Sequence, residues 1–145
     1  MESSTNISSR PSFAAAMKLL KSAGLPTEDL TAAHCENFYF AGPPAGPTGL
    51  VGLELFGDVA LLRSLAVCAE RRGSGEGTAL LKHAEAHARQ SGVHSLYLLT
   101  TTAEAFFARH GYTRVPRESA PPAIRATREF AGICPASSAF MSRTL

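Results

Sequence analysis

Apolar positions along this chain recur with two different periods, and the alternation between them sets out its elements. Ile7 to Arg10 reads as a short first strand. Ser12 then offers an N-cap to FAAAMKLLKSAG, whose Phe13, Met17 and Leu20 share one helical face before Gly24 ends it. Pro26 and Thr27 restart the chain, and Glu28 and Asp29 favour the N-terminus of a second short helix running to about His34. Asn37 to Ala41 reads as a strand, and the prolines of the following GPPAGPTG make it a loop.

Two apolar runs, Leu50 to Phe56 and Val59 to Val67, flank Gly57-Asp58 as the arms of a tight antiparallel hairpin. A two-residue turn sets 56 opposite 59, 54 opposite 61 and 52 opposite 63. Glu54 and Arg63 then lie diagonally on one face, within reach of each other. Leu80, Leu81, Ala84 and Ala88 mark the buried stripe of a helix that runs to about Ser91 and stops at Gly92. His94 to Thr100 is a strand, AEAFFARHG a helix, and Tyr112 to Val115 a strand. Pro121 and Pro122 start a helix through Phe130, and Ala139 to Thr144 is the final strand. The sum is a mixed α/β fold in one domain over 1–145.

Composition narrows the function. Of 145 residues 45% are hydrophobic and 18% charged, a globular balance. A net charge of +2 is too small to point to nucleic acid, and suits a polyanionic small molecule. No apolar run approaches membrane-spanning length, and MESSTNISSRPSF lacks the apolar core of a leader. Cys35, Cys68 and Cys134 are odd in number and scattered, as expected of reduced thiols in a cytoplasmic protein.

The chemistry concentrates where the strand ending at Val67 gives way to Arg71, Arg72, Gly73, Gly75 and Gly77 and then to a helix. Such a junction gathers unpaired backbone N–H groups at a positive helix end, and glycines let that backbone approach a phosphate closely. A P-loop is excluded, because Gly77 is followed by Thr78 and Ala79 rather than Lys and Ser or Thr. A dinucleotide fingerprint starting at Gly73 fails at Thr78 and finds no acidic ribose anchor among Thr100, Thr101 and Thr102.

What remains, Arg72-x-x-Gly75-x-Gly77, resembles the acyl-CoA pyrophosphate loop of the GNAT (Gcn5-related N-acetyltransferase) superfamily. The resemblance covers nearly the whole chain. It implies a mixed, mostly antiparallel sheet flanked by helices, with a V-shaped splay between neighbouring strands. It implies acetyl-CoA as co-substrate, no metal, and direct transfer to a small-molecule amine acceptor with no nucleic acid or membrane partner. The backbone of Leu65, Ala66 and Val67 would meet the pantetheine arm, with the Val67 N–H polarising the thioester carbonyl. The N–H groups of Arg72, Gly73, Ser74, Gly75, Glu76, Gly77 and Thr78 would hold the pyrophosphate. The segment Thr102 to Arg114 is similar to the family's second motif, with Phe107 where many members carry a Tyr that protonates the departing thiolate. Cys134 and Tyr112 are alternative donors. A homodimer through an edge or C-terminal strand is a further family expectation. The segments LLRSLAV, YLLTTTAEAFFARHGY and PPAIRATREFAGICPASSAF resemble the ArsN-type GNAT proteins associated with arsenic resistance, implying an amino-acid-like, arsenical or phosphinate-bearing acceptor.

Several residues carry two readings. Glu54 is either a general base for the acceptor or half of an ion pair with Arg63, and Arg63 can instead clamp an acceptor's anionic arm. Arg125 and Arg128 form a similar clamp or a solvated helix face. Thr101 contacts the cofactor or belongs to a helix cap at Thr102, and Phe107 lines the cleft or the core. His83 and His87 have the spacing of a metal pair without a third ligand, and read better as a solvated flank. The three cysteines read as small packed residues rather than a trithiol arsenic site.

Overall fold

The computed structural model describes residues 6–135 and 137–145, so Met1–Thr5 of the stretch read for a leader, and Ala136, lie outside it. Among the described residues seven strands form one sheet: β1 (Ile7–Ser9), β2 (Phe38–Ala41), β3 (Gly49–Phe56), β4 (Val59–Val67), β5 (Ser95–Thr100), β6 (Thr113–Arg114) and β7 (Ala139–Thr144). Their order is β1-β2-β3-β4-β5-β7-β6, and every neighbouring pair is antiparallel except β4 with β5. The helices are α1 (Phe13–Ser22), α2 (Glu76–Gln90), α3 (Glu104–Arg109) and the short α4 (Pro122–Arg125).

The hairpin takes the register its two-residue turn dictates, with Phe56 opposite Val59, Glu54 opposite Leu61 and Gly52 opposite Arg63. Beyond that the ladder slips. Leu50 faces Ala66, so Ser64 and Leu65 together oppose Val51 in a β-bulge, with Ser64 at φ 60°. Bulges bend the strand that carries them. β4 pairs with β5 only from Val59 to Leu61, and beyond the bulge the two strands share no ladder. This is the splay.

One face of the sheet packs on α2, where Leu80, Leu81, Ala84 and Ala88 meet Val51, Leu53, Leu62, Leu96 and Leu98. The other carries α1 over Phe38, Phe40 and Leu50, and α4 over Leu61 and Phe140. Gly52 has no room for a side chain, because an added Cβ would lie 2.2 Å from the Phe38 ring.

Three expectations are corrected. Ser12 Oγ does accept from the Ala15 N–H, yet α1 buries Ala16, Leu19 and Leu20 while Phe13 stays exposed, the stripe being rotated toward the sheet. Glu28 and Asp29 do not start a helix. They lie in a turn, and the helical segment is a 3₁₀ stretch over Ala32–Asn37. The helix from Pro122 breaks after Arg125 and resumes as a wide turn over Glu129–Ile133. Thr127 Oγ1 donates to the Ile124 carbonyl and accepts from the Phe130 N–H, local bonds that compete with helix continuation.

Candidate active site

The glycine loop is held from beneath by a buried acid. Glu76, the first residue of α2, is 2% exposed; it accepts from Thr48 Oγ1 at 2.8 Å and Arg71 Nε at 3.1 Å. A carboxylate here also complements the positive end of the helix. Gly75 caps α2 at φ 88°, and Gly73 lies at φ 80°, left-handed values that suit glycine. The first intrahelical bond runs from Ala79 N–H to the Gly75 carbonyl. Among the described residues, Gly73, Gly75, Glu76, Gly77 and Thr78 therefore keep N–H groups with no backbone acceptor. Two expected donors drop out: the Arg72 N–H goes to the Ala69 carbonyl and the Ser74 N–H to the Arg71 carbonyl. At most five of the seven expected amides are thus left for an anion.

The adjoining strand edge is equally open. Cys68 N–H donates across to the Thr48 carbonyl at 2.7 Å, so the Val67 N–H, one residue back, points to the opposite edge. That is the edge β5 has left. Arg72 Nε donates to the Val67 carbonyl on that side at 3.3 Å, tying the loop to the strand. Leu65, Thr101 and Phe107 line the cleft opened there, which has a volume of about 430 Å³ and extends to Gly24–Pro26 on one side and Ile133–Pro135 on the other. Phe107 has no hydroxyl to give, and its ring packs edge-on against Phe106 and Tyr112.

Neither alternative proton donor fits well. Tyr112 is 1% exposed and donates to Glu85 Oε2 at 2.9 Å, within the core under α2, where burial and that carboxylate push its phenol up. Cys134 does line the cleft, but burial, with Glu129 adding, pushes its thiol up to about 12. Proton transfer from so weak an acid to a thiolate runs uphill.

The Glu54–Arg63 pair exists and is larger than the hairpin implied. Arg63 Nη1 meets Glu54 Oε2 at 2.7 Å; Asp29 accepts from both terminal nitrogens, at 2.5 and 2.9 Å. Glu129 Oε2 lies 3.1 Å from Nη2, and Nε donates to Ser64 Oγ on the bulge. The guanidinium is fully enclosed: its nitrogens make four hydrogen bonds, and Nη2 also forms an ion pair with Glu129. This corrects the reading of Arg63 as a clamp for an acceptor's anion, because the guanidinium is enclosed and three carboxylates already surround it. Burial alone would raise Asp29, but the hydrogen bonds and charge of Arg63 more than offset it and hold the carboxyl below its ordinary value. Glu129 goes the other way. Burial, with Asp29 and Glu54 adding to it against Arg63, raises its carboxyl to about 7.

Sequence spacing gave no sign of Asp29 or Glu129 here, since they lie 34 and 66 positions from Arg63, one at the expected start of a helix and the other inside the helix expected through Phe130. Arg125 and Arg128 do not line the cleft. Arg125 donates to the Glu118 and Ala120 carbonyls, and Arg128 borders a separate hollow with Asp29, His34 and Glu54. Those last three bring ligand-type atoms within 4.8 Å of one another. Both carboxylates are already bound to Arg63, and His34 Nδ1 accepts from the Thr31 N–H. Among the described residues the cysteines form no such group. His83 and His87 are not a bare solvated flank either; both rings pack on Tyr39, at 4.9 and 5.3 Å.

A splayed parallel pair beside an amide-rich loop is the architecture the sequence pattern led to expect, and the acetyltransferase (GNAT) domain model matches residues 33–114. The chain belongs to the GNAT acetyltransferase family. This GNAT chain is 39% identical over 57 residues to an amino-acid acetyltransferase of Ralstonia nicotianae, covering 39% of this chain and 13% of that protein. It is 33% identical over 92 residues to an uncharacterised N-acetyltransferase of Chlorobaculum tepidum, covering 63% of this chain and 59% of the relative. Both matches thus span less than two thirds of those proteins. The fold is shared with N-acetylglutamate synthase from Neisseria gonorrhoeae, solved with coenzyme A and N-acetyl-glutamate. There the TM-score is 0.85 at 22% identity, over 100% of this chain and 36% of the other. It is also shared with Rv2747 from Mycobacterium tuberculosis, solved with coenzyme A (TM-score 0.73, 18% identity, 97% of this chain and 99% of that one). No helix among the described residues is long and apolar enough to cross a membrane.

Proposed function

We propose that this chain transfers an acetyl group from acetyl-CoA to the nitrogen of a small primary amine, directly and without an acyl-enzyme. One observation carries the reading: the Val67 N–H faces an edge vacated by β5, next to a loop with five amides free for a diphosphate. Gly73, Gly75, Glu76, Gly77 and Thr78 hold the pyrophosphate, and the Leu65–Val67 edge takes the pantetheine amides as a strand would. The thioester supplies the activated acetyl group. The Val67 N–H donates to its carbonyl oxygen, where negative charge develops. Phe107 and Thr101 close the cleft and exclude water from that end.

The acceptor is amino-acid-like, with an arsinate, phosphinate or carboxylate arm. What supports this is the likeness of the segments around Arg63, Phe107 and Ile124 to ArsN-type proteins, together with the amino-acid acetyltransferase relative. The arm is not held by Arg63, which is buried among three carboxylates. The charge of the cleft favours a second reading, a polyamine: Glu28 and Glu129 line it, and Arg63 brings no unbalanced positive charge. Calorimetry with acetyl-CoA tests the donor half, and binding in the micromolar range is expected. Thiol release with L-glutamate, phosphinothricin, arsinothricin and spermidine tests the acceptor half. No heat with acetyl-CoA at high micromolar concentration refutes the whole reading.

A further inference from the structure

Three carboxylates surround Arg63, but they do not face the same way. Asp29 and Glu54 border the hollow shared with His34 and Arg128, whereas Glu129 lines the large cleft. Asp29 binds the guanidinium with both oxygens, while Glu129 meets it through Oε2 at 3.1 Å. The cluster sums to −2 when every member is ionised, one positive charge against three negative. So much buried charge is relieved by one proton. The cleft also holds a second unsettled polar group. Ser138, at the foot of β7, is 5% exposed, and its Oγ has no hydrogen-bond partner among the described residues. A buried hydroxyl without a partner costs about 1–3 kcal/mol, and the usual explanation is a partner outside the chain.

We propose that Glu129 is the general base of the transfer, taking a proton from the ammonium of the acceptor in the cleft, and that Ser138 Oγ hydrogen-bonds that acceptor. The inference rests on the acetyltransferase reading above and adds a catalytic residue to it. The proton moves from R–NH₃⁺ to the Glu129 carboxylate. The freed lone pair forms the C–N bond, the C–S bond breaks, and the sulfur leaves with its electron pair and takes the second amine proton. Glu129 then returns its proton to solvent. A carboxylate that titrates near neutrality suits this task, because it is partly deprotonated at working pH and still basic enough to accept. The groups that face it are Arg63 from β4, Glu54 from β3, Asp29 and Glu28 from the loop after α1, and Cys134 from its own turn. The three carboxylates outnumber the one guanidinium, so the net field at the cleft wall attracts a cationic nitrogen.

The test is the pH dependence of kcat/KM with the best amine of the panel. Wild type shows an acidic limb centred near 7. Glu129→Gln loses roughly 10²- to 10⁴-fold in kcat, as removal of a general base does, and loses the limb, with acetyl-CoA affinity by calorimetry unchanged. Glu129→Asp recovers part of the rate. Glu54→Gln removes one neighbouring negative charge, so its limb moves to lower pH. Ser138→Ala raises KM for the acceptor while kcat stays within a few-fold. Wild-type transfer with Glu129→Gln within threefold at every pH overturns this inference alone. Acetyl-CoA binding without transfer to any amine overturns the acetyltransferase reading, and this inference with it. Should Glu129→Gln fail to fold, the Glu54→Gln profile decides, and an unmoved limb refutes the assignment.

Discussion

Replacing Arg63 with methionine exchanges the guanidinium for an apolar chain of similar length and leaves three carboxylates facing one another. Truncating one partner of a buried pair costs about 3–5 kcal/mol, because the other charge stays buried and unpaired. Protonation caps that cost. Neutralising an Asp of ordinary pKa near 3.9 takes about 1.4 kcal/mol per pH unit above that value, hence about 5–6 kcal/mol at pH 8 and about 1.5 kcal/mol at pH 5. Glu129 adds little, since it already titrates at about 7. The expected destabilisation is therefore about 4–6 kcal/mol at pH 8 and about 1–2 kcal/mol at pH 5, against a typical domain stability of about 5–15 kcal/mol.

In the wild type, Asp29 is held below its unfolded value, so its contribution is present above that value and lost as pH falls through the folded one. In Arg63→Met the same carboxyl lies above its unfolded value, so stability is present at low pH and lost as pH rises. The two curves diverge with increasing pH. Urea unfolding at pH 5, 6.5 and 8 measures the gap. A loss below about 1 kcal/mol at pH 8, or one that does not change with pH, would mean that Arg63 is not the counter-charge of this cluster, and the argument fails.

Two further predictions concern the glycine loop and the core under α2. Gly75→Asn keeps a residue that tolerates the left-handed conformation at φ 88°, and its Cβ meets nothing in the protein within 4 Å, so stability should fall by no more than about 1 kcal/mol while acetyl-CoA affinity falls at least tenfold. Equal affinity by calorimetry would place the phosphates elsewhere. Tyr112→Phe removes the bond to Glu85, which keeps Arg143 at 2.9 Å, and should cost about 1–3 kcal/mol in urea unfolding with kcat unchanged. A selective fall in kcat would return Tyr112 to the role of proton donor.

Much of this architecture was readable from local pattern. The hairpin register followed from two turn residues, and with it the Glu54–Arg63 contact, because antiparallel pairing is counted outward from the turn. The stripe Leu80, Leu81, Ala84 and Ala88 placed α2 without ambiguity. The loop pattern located the amides but not which of them are free, a matter of how the 3₁₀ turn at Ala69–Arg71 closes on itself. The bulge left no trace, since Ser64 sits in a run that reads as regular strand although its backbone is left-handed. Ile124, Thr127 and Phe130 recur at helical spacing, yet the Thr127 hydroxyl takes the bonds that would have continued the helix. That break is what turns Glu129 toward Arg63, so a helix reading hides the carboxylate as well.

The bulge, the splay and the acid cluster are one construction. Two residues opposing Val51 let β4 bend away from β5, and the left-handed Ser64 puts its Oγ under Arg63 Nε. Anchored there, the guanidinium gathers acids from β3, from the loop after α1 and from the turn before β7, and the last two of these segments are walls of the cleft. A base near neutrality in such a place has a cost that can be signed. The Glu129 carboxyl lies above its ordinary value of 4.5 in the folded chain, so its contribution is full below that pH and lost as pH rises to about 7. The pH range that deprotonates Glu129 for catalysis is thus the range in which it begins to strain the fold. Arg63 offsets that strain while leaving the proton exchangeable. A lysine at 63 keeps the charge but lacks the planar fork that reaches three carboxylates at once, so it cannot substitute for this balance.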